Sequence, residues 1–221
     1  PLPGAYQDVY SNWHVSVSDA PILWSCHTDT VHHKAGRQQV VTQNGRLALS
    51  AASGNVSNCL GGDDTVGVYL CREMVLAGVP GHYIFHYGEE KGCIGSSLLA
   101  ETHPEWLQTF NAAIAFDRAG TSDVITHQCG KRTCSDTFAQ AISDTLRHSG
   151  MIYLPCDRGV YTDTEQYAGL IPECTNLSVG YSAAHSSHET IDLTHVARLR
   201  AALVQLGEIA SDWPIERDPS I

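Results

Sequence analysis

The chain has 221 residues, of which 43% are hydrophobic and 17% charged, a composition that fits one globular domain and excludes a disordered chain. Its net charge of -11, with no basic cluster, argues against nucleic acid and against an anionic membrane surface as partners. No apolar run reaches the roughly 20 residues of a membrane span, and the first residues lack the pattern of a signal peptide. We therefore expect a cytoplasmic protein with a single domain over residues 1–221.

Eight cysteines are spread through apolar segments, which is typical of reduced core residues in a cytoplasmic protein. Cys129 and Cys134 bracket a predicted hairpin turn and leave two alternatives open. They could form a local disulfide, or they could hold a structural zinc ion together with His127, although such a site needs a fourth ligand.

The first part of the chain predicts strands after a polar start. Residues 6–20 are mixed in character and predict a short helix or coil, whereas the apolar run 22–26 has the length of a strand. Two further strands, 39–42 and 46–49, flank Asn44-Gly45, a dipeptide that favours a hairpin turn. A loop is predicted over 54–58.

Strands and helices alternate in the rest of the chain. The Gly-Gly-Asp-Asp segment 61–64 begins a helix, and carboxylates are favoured at that position. Further strands are predicted at 82–88, 112–116, 123–127, 151–154 and 176–181, and further helices at 96–102, 135–146 and 192–209. This alternation predicts a three-layer α/β/α sandwich with a mixed, largely parallel central sheet, whose antiparallel edge is the hairpin.

Side chains of the kinds that bind metals follow predicted strands or begin a helix at five places: His27 with Asp29, Asp63, Glu89 with Glu90, Asp117, and His185. Ligands gather at the carboxyl ends of strands in open α/β sheets, so these side chains can converge on one crevice. The adjacent carboxylates Glu89 and Glu90 need a positive partner, which a metal ion supplies. One of them can then bind the metal while its neighbour handles the proton of a water molecule.

The order of these residues and their local motifs resemble the aminopeptidase-like clan of co-catalytic di-zinc peptidases. The resemblance runs from Trp24 to about Leu193, and five motifs carry it: His-Thr-Asp at 27–29, Gly-Gly-Asp-Asp at 61–64, Glu-Glu-Lys-Gly at 89–92, Phe-Asp-Arg at 116–118 and His-Ser-Ser-His-Glu-Thr at 185–190. The larger carboxypeptidases and dipeptidases of the clan insert a lid domain between the fourth and fifth ligands. The interval from Asp117 to His185 is too short for that insertion, so the single-domain zinc aminopeptidases are the nearer relatives.

The resemblance implies a ligand set for two zinc ions, for which Co²⁺ or Mn²⁺ can substitute: Asp63 between the ions, His27 and Asp117 at one of them, and Glu90 and His185 at the other. It also implies that Glu89 is the general base and that Asp29 orients the His27 imidazole. His188 competes with His185 for the last position. Arg118 either binds a substrate carboxylate or supports the end of the sheet.

The implied activity is the cleavage of peptide bonds by a metal-dependent exopeptidase of aminopeptidase type, with a peptide as substrate. A metal-dependent deacylase or amidase acting on N-acyl amino acids is an alternative, because the same ions and base would cleave any accessible amide. A non-catalytic binding module that keeps the fold without the metals is the alternative outside enzymes. The sequence gives neither the residue preference nor the oligomeric state.

Overall fold

The computed structural model describes residues 2–50, 57–207 and 209–220, so most of the predicted loop over 54–58 lies outside the described residues. The strands are β1 (Tyr6–Gln7), β2 (Trp13–Ser16), β3 (Ile22–His27), β4 (Val40–Gln43), β5 (Arg46–Leu49), β6 (His82–His86), β7 (Ala112–Arg118), β8 (Asp123–Ile125), β9 (His127–Gln128), β10 (Lys131–Arg132), β11 (Leu154–Cys156), β12 (Glu173–Ser178), β13 (Tyr181–Ser182) and β14 (Thr190–Asp192). The α-helices are α1 (Gly62–Ala77), α2 (Ile94–Thr102), α3 (Pro104–Leu107), α4 (Asp136–His148) and α5 (Leu193–Leu203), and short 3₁₀ helices cover Glu89–Lys91, Asp163–Tyr167 and Ile209–Asp212.

The central sheet has eight strands in the order β1-β2-β6-β3-β7-β12-β8-β11. Its middle is parallel: β3 pairs with β6 and β7 in parallel, and β12 pairs with β7 in parallel. The pairs β1–β2, β2–β6 and β8–β12 are antiparallel. The predicted mixed, largely parallel sheet is therefore confirmed.

Apolar side chains form one core on each face of this sheet. Because side chains alternate along a strand, the neighbours Leu23 and Trp24 belong to different cores. The core around Trp24 receives side chains from α1, α4 and α5, and the core around Leu23 receives them from α2, α3 and the 3₁₀ helix Asp163–Tyr167. This arrangement confirms the three-layer α/β/α sandwich. No helix in the described ranges combines the length and the apolar character needed to cross a bilayer.

The antiparallel edge of the sheet is not where the sequence predicts it. The hairpin around Asn44-Gly45 forms, but β4 and β5 join β13 and β14 in a separate four-stranded sheet. The edge is built instead by β1 and β2, within the stretch predicted as helix or coil. Asp8 accepts hydrogen bonds from the backbone of Tyr10 and Asn12, and these local bonds form the turn between the two short strands.

Several predicted boundaries also differ, three of them clearly. The last helix ends at Leu203 and not at 209, and Gly207 with a φ of 49° lies in the turn that follows. The predicted strand 176–181 is two strands, because the chain turns at Gly180 with a φ of 106°. The strand predicted at 151–154 forms later, at Leu154–Cys156.

All eight cysteines lie in the described ranges and are free, so the local disulfide between Cys129 and Cys134 is not formed. Cys129 is exposed in the turn between β9 and β10, whereas the Cys134 side chain is buried in the core beyond β10. Neither belongs to a group of potential metal ligands among the described residues.

Candidate metal centre

Three neighbouring parallel strands bring predicted site residues to the same end of the sheet. β3 ends at His27, the segment after β6 carries Glu89 and Glu90, and β7 carries Asp117 near its end. Since β3 lies between β6 and β7 and is parallel to both, their carboxyl ends meet at one edge. The topology therefore brings these side chains together.

The imidazole of His27 is buried and faces carboxylates. Its Nδ1 lies 3.0 Å from the backbone carbonyl of Asp29, which can only accept, so Nδ1 carries the hydrogen. Its Nε2 then faces two carboxylate oxygens, at 3.0 Å from Asp63 Oδ1 and 3.5 Å from Asp117 Oδ1. Although burial alone lowers the pKa of His27, the charge of Asp117 and bonds to the nearby carboxylates raise it well above its usual value. A cation fits between these atoms.

Asp63 lies between His27 and His185. Its Oδ1 is 3.0 Å from His27 Nε2 and its Oδ2 is 3.2 Å from His185 Nε2, so each oxygen faces a different imidazole. Gly61, with a φ of 84°, turns the chain before α1, and the peptide bond between Asp63 and Asp64 is cis. Regular helical backbone begins only after these two residues.

Glu90 and His185 meet on the second side of Asp63. Glu90 Oε1 lies 2.9 Å from His185 Nε2, yet it is a buried oxygen without a hydrogen bond among the described residues. A buried unpaired oxygen beside a ring nitrogen fits a shared metal ion. His188, the competing residue, is exposed, and its backbone N–H bonds the Ser186 hydroxyl.

Glu89 begins the 3₁₀ helix that also carries Glu90. Burial first, and then the charge of Asp117, raise the pKa of Glu89 to about 9. The hydrogen bond described for its side chain is a weak one from the thiol of Cys93, 3.9 Å from Oε1. Glu89 is thus a carboxyl group beside the cluster that is not held by strong hydrogen bonds.

Asp29 contacts the turn at residues 88–90 in addition to His27. Its Oδ1 is 3.5 Å from His27 Nδ1, while the closer contact to the ring is its own carbonyl. Its carboxylate accepts the backbone N–H groups of Gly88, Glu89 and Glu90, at 3.1, 3.1 and 3.2 Å. Asp29 therefore fixes the turn that carries both glutamates, a role that the sequence interpretation did not include.

Further side chains, absent from the predicted set, support the ligands. Thr162 donates to Asp117 Oδ2 at 2.8 Å, and Tyr181 donates to Asp117 Oδ1 at 3.2 Å. Asp64 is fully buried and accepts the backbone N–H groups of His27 and Gly67. Only Asp64 had a sequence signal, as the last residue of the Gly-Gly-Asp-Asp motif; Thr162 and Tyr181 approach Asp117 solely through the fold.

Arg118 bonds to Asp123 Oδ2 through both Nε and Nη2, at 3.3 Å each. This pair joins β7 to the beginning of β8, which agrees with support of the sheet end. Between the two roles considered for Arg118, the structure favours the supporting one.

Two groups of potential metal ligands occur among the described residues: His27, Asp63 and Glu90, and His27, Asp64 and Asp117. Together the two groups contain four of the five implied ligands. The fifth, His185, lies beside the first group because its Nε2 contacts Glu90. Both oxygens of Asp64 already accept backbone hydrogen bonds, so we assign Asp64 to the support of His27. The structure thus brings together all five residues of the implied ligand set.

A scan against protein-family models and a search of curated proteins both find no match. Solved structures of similar fold are found. The aminopeptidase PepT from Bacillus cereus superposes with a TM-score of 0.73 at 14% identity, covering 94% of this chain and 87% of that chain. A tripeptidase from Staphylococcus aureus gives a TM-score of 0.72 at 14% identity, with 94% and 88% covered. An aminopeptidase from Desulfurococcus kamchatkensis gives 0.64 at 14% identity, with 96% and 87% covered.

Identities this low establish the shared fold and no more. The fold covers nearly the whole chain, as the sequence resemblance implies. The protein therefore has the aminopeptidase-like fold of these peptidases, with a cluster of histidines and carboxylates at the carboxyl ends of its central parallel strands.

Proposed function

We propose that this protein is a zinc-dependent exopeptidase that removes N-terminal residues from peptides. The observation that supports it most is the arrangement around Asp63, whose two oxygens face two different imidazole nitrogens, while the buried Glu90 Oε1 lies 2.9 Å from His185 Nε2 without a hydrogen bond among the described residues. Such a set of inward-facing acceptors is stable only with positive charge between its members. His27 and Asp117 would hold one zinc ion, Glu90 and His185 the other, and Asp63 both.

The donor set suits zinc because it combines two imidazoles with three carboxylates. When bound, the ions would polarise the scissile carbonyl, acidify the attacking water and, through their positive charge, lower the pKa of Glu89. Glu89 would accept the proton of that water and deliver it to the leaving amine. It is suited to this because no strong hydrogen bond occupies it and because Asp29 fixes the turn that carries it.

The charge around the site favours a substrate with a free amino terminus. Several carboxylates lie around the cluster. Arg118, which follows Asp117 in sequence, is occupied by Asp123, and Lys91, which follows Glu90, is exposed. A positively charged terminus is attracted to such a region, and a terminal carboxylate is not. Two of the three structures of similar fold described above are named aminopeptidases and one a tripeptidase.

The test is a mass-spectrometric assay of the zinc-loaded protein on one peptide in four forms: free at both ends, N-acetylated, C-amidated, and blocked at both ends. We expect stepwise loss of N-terminal residues from the free and C-amidated forms only, and no cleavage after chelation. Release of the acetyl group alone would identify a deacylase acting on N-acyl substrates. Two bound zinc ions without cleavage of any form would indicate a binding module.

A further inference from the structure

Glu189 is a buried carboxylate four residues beyond His185, and its exposed fraction is only 1%. It immediately precedes β14, which the antiparallel pairs with β13 and β5 hold in place. The segment from β13 to Glu189 contains His185. Glu189 therefore stands on a fixed strand at the end of the loop that delivers the last implied ligand.

The carboxylate of Glu189 is occupied by the loop that carries Asp63. Its Oε2 accepts the backbone N–H groups of Leu60 and Gly61, both at 2.8 Å, and its Oε1 accepts the N–H of Asp63 at 3.0 Å. Three backbone donors leave little capacity for a metal ion. Glu189 thus contacts the site through the backbone of a ligand and not as a ligand.

Gly62 makes this close approach feasible. A methyl group at this position would lie 2.9 Å from Ile191 Cγ1, a distance that real side chains essentially never show, and 3.0 Å from Glu189 Oε1, which is tighter than most real contacts. The φ of Gly62 is not in the left-handed region, so the need for glycine here is steric. The second glycine of the Gly-Gly-Asp-Asp motif is therefore explained by the Ile191 side chain and the Glu189 carboxylate that lie against it.

We infer that Glu189 is a positioning residue that sets the bridging carboxylate of Asp63 relative to His185. The buried carboxylate of Glu189 links the loop that carries Asp63, proposed to bind both ions, to the loop that carries His185, the last ligand proposed for the second ion. This inference rests on the proposed function for its consequence, because the positioned group matters only if Asp63 binds metal. The contact itself can be tested without metal.

Glu173 offers a matched control. It is also fully buried and also accepts three backbone N–H groups, from Ser135, Glu216 and Arg217. It lies at the beginning of β12, whereas the cluster lies at the carboxyl ends of the parallel strands. The substitutions Glu189→Gln and Glu173→Gln remove the same kind of interaction, and only the first removes it next to a ligand.

The experiment measures amide hydrogen exchange in the metal-free proteins and the zinc affinity of each protein by titration. For Glu189→Gln we expect faster exchange at Leu60, Gly61 and Asp63 and zinc affinity lower by about 10–100-fold, the usual effect of losing a group that orients a ligand. For Glu173→Gln we expect faster exchange near Ser135 and Glu216 with unchanged zinc affinity. Gly62→Ala, which crowds the same contact from the other side, should reproduce the loss of zinc affinity.

Unchanged zinc affinity in Glu189→Gln, or an equal loss in Glu173→Gln, would overturn the inference. If Glu189→Gln does not fold, the metal-free wild type decides: slow exchange of the amides of Leu60, Gly61 and Asp63 supports the contact, and rapid exchange contradicts it. A wild-type protein that binds no zinc but protects these amides would refute the proposed function while leaving the contact itself intact.

Discussion

His27 and His86 are paired neighbours on β3 and β6 and both are buried, but three carboxylates lie within 3.5 Å of the His27 ring nitrogens and one, Asp163, lies 3.4 Å from His86 Nδ1. The ring of His86 lies 2.7 Å from the Tyr167 hydroxyl and 3.2 Å from both the Ser25 hydroxyl and the Cys26 carbonyl. Burial lowers the pKa of His86 to about 3, whereas the carboxylates around His27 raise its pKa well above the usual value against the effect of burial. Burial therefore does not distinguish a structural histidine from a proposed metal ligand; the number of carboxylates around the ring does.

The largest expected effect is the loss of activity in Glu89→Gln, which distinguishes proton transfer from metal binding. Glu89→Gln keeps the size of the side chain but cannot accept the proton of water, so activity should fall by about 10²–10⁴-fold. Zinc content should not change, because Glu89 is not in the ligand set. Peptidase rates and elemental analysis of the same preparation check both statements.

Glu90→Gln is the matched control, since it makes the same change one residue later. It should lose zinc first and activity as a consequence, because an amide oxygen is a poorer zinc ligand than a carboxylate. Reversed phenotypes would exchange the roles of Glu89 and Glu90, and full activity in Glu89→Gln would remove the proposed mechanism.

The comparison of the two histidines predicts different results from one substitution. His27→Gln should lower zinc affinity by about tenfold or more, because an amide replaces an imidazole ligand. His86→Gln should keep the zinc and instead lower the free energy of unfolding by about 1–3 kcal/mol, since buried partners lose their hydrogen bonds. Zinc titration and chemical denaturation measure the two effects. If His86→Gln lost zinc and His27→Gln kept it, the roles assigned to the two histidines would be wrong.

The sequence predicts the parts of this protein that repeat a local pattern. The parallel strands have apolar runs of the right length, and the ligands follow them, so the layers of the fold and the placement of His27, Glu90 and Asp117 at one edge can be read without coordinates. The edge strands β1 and β2 escaped prediction because they are short, with two and four residues, and mix polar with apolar side chains.

The supports of the ligands were missed for a different reason. Thr162 and Tyr181 are far from Asp117 in sequence and have no motif of their own, so only the three-dimensional packing brings their hydroxyl groups to its oxygens. Glu189 lies inside a motif that the sequence singled out, but the sequence does not reveal that its partners are backbone amides of residues 60–63. Contacts to the backbone leave no residue-type signal.

The last expected effect is a pH dependence of stability that belongs to His86. Its pKa is about 3 in the folded chain and about 6.5 when unfolded, so between these values the folded state binds fewer protons. The stability that neutral His86 contributes is complete above about pH 6.5 and falls by at most about 1.4 kcal/mol per pH unit as the pH decreases toward 3. In metal-free protein, the difference in unfolding free energy between wild type and His86→Gln should shrink accordingly on acidification. A constant difference would contradict the assignment.

The most direct test of the two-ion centre is the zinc stoichiometry of wild type and Asp63→Asn, measured by elemental analysis and calorimetric titration. The wild type should bind two equivalents, and Asp63→Asn should weaken both, because the oxygens of Asp63 face His27 on one side and His185 on the other. A wild type that binds less than one equivalent, or an Asp63→Asn protein that keeps one site at full affinity, would contradict the bridging role of Asp63.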